Sequence, residues 1–249
     1  MKINLDNSVV ASKGQTTIYE KKNFLEDEDF KNLQKNFPSV NYFNKIRKSD
    51  DAEEKFSSTH EMFKDFISKH HAWEKFYNTL NSEKFIRSAY FKTLIPSIKA
   101  RGLNALRIWT TKKKPNFLRF FFSTVYTHIT ITIQKKGQKV YPHKDTENKL
   151  MSMIYYMPDT NNIIDDSSGT EFWKTNKNFS KWKNFFGHVI NDLDDFKQDN
   201  QIILKSKFEQ NKVVFFVRNN LSWHSVLEVD NDKNKLRKTV NIFIRFNKN

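Results

Sequence analysis

The sequence predicts a mainly β fold with α-helices in its first part: an antiparallel barrel or sandwich that carries helices on its outside. Three observations predict this class. Apolar residues recur at helical spacing up to about residue 100, and beyond residue 104 they alternate as in strands. The 249 residues include 24 Phe, so the chain can bury a large core and is not disordered as a whole.

Composition narrows the possible functions. The chain has no Cys, which excludes disulfide scaffolds, thiolate metal sites and cysteine nucleophiles. No apolar run approaches the ~20 residues of a membrane span, and the N-terminus lacks a signal-peptide pattern. We therefore expect a cytoplasmic protein without a membrane partner. The net charge of +15 suits a nucleic-acid partner. Most of the basic residues are Lys, however, and AT-rich codon usage also increases the number of Lys, so the charge alone does not establish such a partner.

The first part of the chain predicts a hairpin and three helices. Two short β-prone stretches, 8–11 and 16–19, flank Gly14, which lets the chain reverse. Residues 40–57 are mostly polar and are predicted as a loop. The helices are predicted at 27–37, 59–80 and 82–100, the last with a kink at Pro96.

The second part predicts short strands. Ile129, Ile131 and Ile133 alternate with threonines, so one face of this segment is apolar. The polar and aromatic segment 174–210 is predicted as a partly helical insertion and as a lid over the substrate. Further strands are predicted at 106–108, 118–122, 150–157, 170–173, 212–217 and 239–246. We therefore expect a helical support region, 1–104, and a β core, 105–249, in one integrated domain.

Two of the seven His lie in a context that favours metal binding. In an extended stretch, His143 and Asp145 point to the same face, because side chains alternate. His224 follows the apolar strand predicted at 212–217 and can supply a third ligand. Two His and one carboxylate leave three coordination positions open, which is the facial triad of non-haem Fe(II) oxygenases; zinc is the alternative metal.

A basic residue, Arg237, follows His224 in the sequence. Arg237 comes thirteen residues after His224 and opens the last predicted strand. Its guanidinium can clamp a carboxylate with two hydrogen bonds. Thr239 lies on the same face of the strand and can add a hydroxyl.

Over about residues 125–246 the sequence resembles the Fe(II)/2-oxoglutarate-dependent dioxygenases, most closely their prolyl-hydroxylase-like branch. The matching segments are 141–145, 153–157, 169–173, 212–216, 223–226 and 237–246. The resemblance implies a double-stranded β-helix, a cupin-like jelly roll with supporting N-terminal helices. It implies His143, Asp145 and His224 as catalytic iron ligands and Arg237 as the residue that holds the distal carboxylate of 2-oxoglutarate. Tyr156 and Thr239 are further candidates for binding this cosubstrate.

The resemblance also implies an activity. Such an enzyme uses Fe(II), 2-oxoglutarate and molecular oxygen to hydroxylate a C–H bond, and it releases succinate and carbon dioxide. A prolyl or other peptide residue of a protein is the expected substrate. The alternatives are a saccharide or other small metabolite, a nucleic acid that is oxidatively demethylated, and a cupin-like binding module without turnover.

Overall fold

The computed structural model describes residues 1–3, 5–45, 53–109, 123–159, 165–176, 190, 192–227, 229 and 236–246. These residues form two sheets and six α-helices. None of these helices has the length and apolar character needed to span a membrane. The predicted strand 118–122 lies outside the described residues.

Two of the three predicted helices are each divided into two in the structure. The helix predicted at 59–80 is interrupted at His70, and the one predicted at 82–100 is interrupted at Thr93. The second break, at Thr93, lies three residues before Pro96. A proline clashes with the turn before it and fits only near the start of a helix, so a new helix begins at Leu94. The helices are α1 (Asp27–Lys35), α2 (Glu61–Lys69), α3 (His71–Leu80), α4 (Glu83–Lys92), α5 (Leu94–Arg101) and α6 (Leu193–Asp199).

The strands form a nine-stranded sheet and a four-stranded sheet within the described residues. They are β1 (Val9–Lys13), β2 (Thr17–Lys21), β3 (Asn44–Lys45), β4 (Glu54–Ser57), β5 (Ile108–Trp109), β6 (Ser123–Gln134), β7 (Val140–His143), β8 (Lys149–Tyr156), β9 (Asp165–Lys174), β10 (Gln201–Phe208), β11 (Val213–Val217), β12 (His224–Val226) and β13 (Arg237–Phe246). The larger sheet has the order β1-β2-β11-β8-β13-β6-β4-β3, and β5 pairs with β6. The smaller sheet has the order β10-β9-β12-β7. All pairs except β5 with β6 are antiparallel, so the predicted mainly β class with helices is confirmed.

Tertiary pairing creates strands where the local sequence predicts none. The region 40–57, predicted as a loop, contains β3 and β4, and β4 pairs with β6. The segment 174–210, predicted as an insertion, contains β10, which pairs with β9 along its whole length. Strand β10 exposes several of its residues, whereas β4 alternates buried and partly buried residues; in both, the pairing with a partner strand stabilises the strand. The predicted N-terminal hairpin is confirmed, and its β2 pairs with β11.

Side chains alternate between the two faces of the larger sheet, and each face contributes to a separate hydrophobic core. The outer face of the larger sheet packs against helices α1 to α4, where Ile131 and Tyr155 meet Phe76 and other aromatic rings. The inner face packs against the smaller sheet, where Tyr156 and Phe216 meet Phe172 and Phe208. Tyr155 and Tyr156 therefore serve opposite sides of one strand, as the period of two requires.

Candidate metal centre

The two histidines of the predicted triad face each other across two strands. His143 ends β7, and its register partner on the neighbouring β12 is His224. Their ring centroids lie 4.2 Å apart. Asp145 follows β7 by two residues, and its Oδ2 lies 4.0 Å from His224 Nε2. One ligand atom of each residue lies within 4.8 Å of the other two, so the three residues can hold a metal ion.

Backbone hydrogen bonds orient both imidazoles. His143 Nδ1 donates to the carbonyl of Tyr141 at 3.0 Å, and His224 Nδ1 donates to the carbonyl of Ser222 at 3.1 Å. A carbonyl oxygen can only accept, so in the neutral rings the proton is on Nδ1 and the lone pair is on Nε2. Each Nε2 is therefore available to a metal ion.

The protonation states also suit metal binding. Desolvation and the neighbouring His224 lower the pKa of His143 to about 3. Burial likewise lowers the pKa of His224. Burial acts to raise the pKa of Asp145, but Lys149 and the two imidazoles outweigh it and hold that pKa below its usual range. Two neutral imidazoles and one carboxylate form the ligand set that a divalent cation requires.

Three residues that the sequence analysis did not identify fix Asp145. Lys149 Nζ donates to its Oδ1 at 2.5 Å, and the Ser152 hydroxyl donates to its Oδ2. Arg218 Nε donates to its backbone carbonyl at 3.0 Å. The sequence does carry one indication of this role, because Ser152 is a polar residue within an otherwise apolar predicted strand.

Arg237 lies in the same cavity as the triad. The cavity has a volume of about 100 Å³, and its lining includes all four residues. Arg237 is 3% exposed; its Nε donates to the Ser168 carbonyl and its Nη1 to Gln134 Oε1, both at 2.7 Å. These two bonds fix the plane of the guanidinium.

Tyr156 and Thr239 lie near Arg237 but outside the lining of the cavity, and the hydroxyl of each lies within hydrogen-bond distance of a threonine hydroxyl. The Tyr156 hydroxyl donates to Thr170 Oγ1 at 2.8 Å, and burial raises its pKa. Arg237 Nη2 lies 3.4 Å from the same Thr170 oxygen. The Thr239 hydroxyl lies 2.5 Å from that of Thr132. The structure thus brings Arg237 together with the triad but places neither Tyr156 nor Thr239 in the lining of the cavity.

Comparison with known proteins adds little to this picture. No protein-family model matches the chain, and no curated protein matches it. The structure is similar to that of a Pseudomonas putida prolyl-4-hydroxylase, with a TM-score of 0.49, 9% identity, and 94% of this chain and 95% of that chain covered. It is also similar to a Trichoplax adhaerens prolyl hydroxylase in complex with a hypoxia inducible factor oxygen degradation domain peptide fragment, with a TM-score of 0.46, 10% identity, and coverages of 92% and 83%.

A third similar structure is the non-heme alpha ketoglutarate dependent carbocyclase SnoK from nogalamycin biosynthesis. Its TM-score is 0.44, its identity 12%, and the coverages are 92% of this chain and 79% of that chain. All three TM-scores lie below 0.5.

Proposed function

We propose that this protein is an Fe(II)- and 2-oxoglutarate-dependent oxygenase that hydroxylates a C–H bond and releases succinate and carbon dioxide. The observation that carries the proposal is one cavity lined by two neutral imidazoles, a carboxylate and the buried Arg237. Three protein ligands leave coordination positions open, as non-haem iron chemistry requires, whereas a structural zinc ion takes four.

The metal ligands of the proposal are His143, Asp145 and His224. The donors are of the kind that binds iron: one imidazole nitrogen from each His and a carboxylate oxygen lie within 4.8 Å of one another. Phe216 and Phe172 pack against the His224 ring, with centroids at 4.9 and 6.2 Å, and form an apolar wall behind the site. Lys149 and Ser152 hold the carboxylate plane, so the ligands keep their orientation before a metal ion binds.

The residues around Arg237 fit the distal carboxylate of 2-oxoglutarate. Gln134 accepts from Arg237 through Oε1, while its buried Nε2 has no hydrogen-bond partner in the described part of the chain. A buried amide donor costs stability unless it is paired. A carboxylate bound at Arg237 would supply the missing acceptor. In this proposal Arg237 and Gln134 bind the carboxylate together, and Tyr156 and Thr239 stay predicted cosubstrate residues.

Bound iron and 2-oxoglutarate supply the oxidising chemistry with molecular oxygen. The chain itself contributes the ligand geometry, the cation that holds the cosubstrate, and a largely buried pocket that limits access of water.

The remaining parts of the proposal rest on the resemblance of the sequence. We propose that the two facing sheets form a double-stranded β-helix and that residues 1–104 and 105–249 make one integrated domain. A prolyl or other peptide substrate, the cytoplasmic location and a lid in 174–210 stay predictions, and 177–189 of that segment lie outside the described residues. The small-metabolite, nucleic-acid and binding-module alternatives also stay open to test.

The proposal is tested by titrating Fe(II) and 2-oxoglutarate into anaerobic protein and recording the visible metal-to-ligand charge-transfer band. We expect a band in the wild type, its loss in His143→Ala and a higher 2-oxoglutarate requirement in Arg237→Ala. The matched controls His71→Ala and Arg107→Ala change exposed residues and should keep the band. A folded wild type without a band would refute the proposal.

A further inference from the structure

Strand β13 carries an arginine at each end of one face. Arg237, Asn241 and Phe243 line the cavity, and Arg245 has the same parity along the strand. Eight residues of strand separate the two arginines by roughly 26 Å. Arg245 therefore lies well away from the proposed cosubstrate position, beyond Phe243.

Arg245 faces another cation across the sheet. Its register partner on β8 is Lys149, reached through a register shift between Ile244 and Arg245. Directly opposed like charges on neighbouring strands destabilise a sheet. Both cations also lie near one aromatic ring: Lys149 Nζ is 3.6 Å and Arg245 Cζ is 5.9 Å from the centroid of Phe243.

The carboxylates nearby do not balance these cations. Lys149 pairs with Asp145, and Lys55, which also lines the cavity, pairs with Glu53 at 2.5 Å. The Nε of Arg245 is buried and has no hydrogen-bond partner among the described residues. A metal ion on Asp145 would further share the one carboxylate that compensates Lys149. The surroundings of Lys149 and Phe243, which line the cavity, thus keep a surplus of positive charge.

We infer that the substrate of this enzyme carries an anionic oxygen group, a carboxylate or a phosphate, which binds between Lys149 and Arg245 beside the Phe243 ring. The inference rests on the proposed function in taking this cavity as the substrate site. A guanidinium matches the oxygen spacing of both groups, and an ammonium adds a point charge. The Phe243 ring offers an apolar surface to the carbon skeleton that bears the group.

The test is a calorimetric titration of inorganic phosphate into the full-length protein, freed of metal by a chelator so that no metal–phosphate bond forms. We expect Arg245→Gln to weaken phosphate binding by about tenfold or more, because it removes a charge-assisted contact. Arg245→Lys keeps the charge and should retain most of the affinity. The matched control Arg107→Gln removes an exposed arginine and should bind phosphate as the wild type does.

Two results would overturn the inference: a wild type that binds neither phosphate nor acetate, or an Arg245→Gln variant that binds both as tightly as the wild type. A titration with acetate, carried out in the same way, distinguishes a carboxylate from a phosphate as the anionic group of the substrate. Dependence on Arg245 for both probes supports a carboxylate or phosphate substrate, and dependence for phosphate alone supports a phosphoryl group. The titrations contain neither iron nor 2-oxoglutarate, so their failure is distinct from failure of the charge-transfer band.

Discussion

His143 and His224 are register partners on the antiparallel strands β7 and β12, and their ring centroids lie 4.2 Å apart. The backbone ladder thus sets the separation of the two imidazoles, and carbonyls two residues earlier set their tautomers. Asp145 lies beyond the end of β7 and depends on side chains for its orientation. The side chains that orient Asp145 can be replaced by mutation, whereas the backbone carbonyls that orient the two His cannot.

Replacing Ser152 by Ala should weaken metal binding. The change removes the hydroxyl that donates to Asp145 Oδ2 and leaves the three ligands in place. Loss of such a supporting hydrogen bond costs about 10–100-fold in metal affinity. Competition with a chromophoric chelator measures the affinity, and Ser68→Ala, at an exposed helical serine, is the control. An unchanged affinity in Ser152→Ala would show that Lys149 alone orients the carboxylate.

Replacing Gln134 by Met should weaken 2-oxoglutarate binding without affecting metal binding. The substitution keeps the length of the side chain but removes the buried amide beside Arg237. One hydrogen bond to a charged group is worth about 1.5–3 kcal/mol, which corresponds to roughly tenfold or more in affinity. The charge-transfer band, recorded against 2-oxoglutarate concentration, gives the affinity. Gln198→Met on exposed α6 should titrate as the wild type, and equal affinities for both variants would exclude Gln134 from the cosubstrate site.

The two adjacent tyrosines of β8 should differ in their effect on 2-oxoglutarate. Tyr156→Phe removes the hydroxyl that bonds Thr170, whose oxygen lies 3.4 Å from Arg237. Tyr155→Phe removes a comparable bond to Asn211 on the helical side of the sheet. Each variant should lose about 1 kcal/mol of unfolding free energy in urea. Only Tyr156→Phe should also raise the 2-oxoglutarate concentration at half-maximal band intensity, and equal cosubstrate affinities would contradict a role for Tyr156.

Gly169 should not tolerate a side chain. A Cβ at this position would lie 2.2 Å from the backbone oxygen of Ser206 on the neighbouring β10. Gly169→Ala therefore has to push the strands apart, with an expected cost of about 1–3 kcal/mol. Gly14→Ala is the control, because its Cβ would meet its nearest neighbour at 3.5 Å. Denaturant unfolding measures both, and a Gly169→Ala protein as stable as the wild type would argue against the close β9–β10 approach.

Stability should fall as pH falls from 6.5 towards 4, partly because of His128. Burial, helped by Arg245 and Lys149, lowers the pKa of His128 to about 4 from its ordinary 6.5. Between these values the unfolded chain binds a proton that the folded protein does not, so stability rises with pH there and levels off above 6.5. His128→Gln should flatten this slope in urea unfolding at a series of pH values. An identical slope in both proteins would show that His128 does not contribute.

The sequence by itself determined much of the fold class and singled out the residues of the candidate metal site. Strand alternation placed His143 and Asp145 on one face and required Tyr155 and Tyr156 to point apart. Helical spacing located the N-terminal helices. These features depend on neighbours a few residues away, so they can be predicted from local pattern.

Tertiary structure alone decided the rest, because it depends on residues that are distant in the chain. The register of β7 against β12 brings His224 beside His143, and the face of β8 brings Ser152 onto Asp145. Polar segments such as β4 and β10 are strands only because a partner strand satisfies their backbone. The opposition of Arg245 and Lys149 likewise follows from the pairing of β13 with β8, and no local pattern in the sequence encodes it.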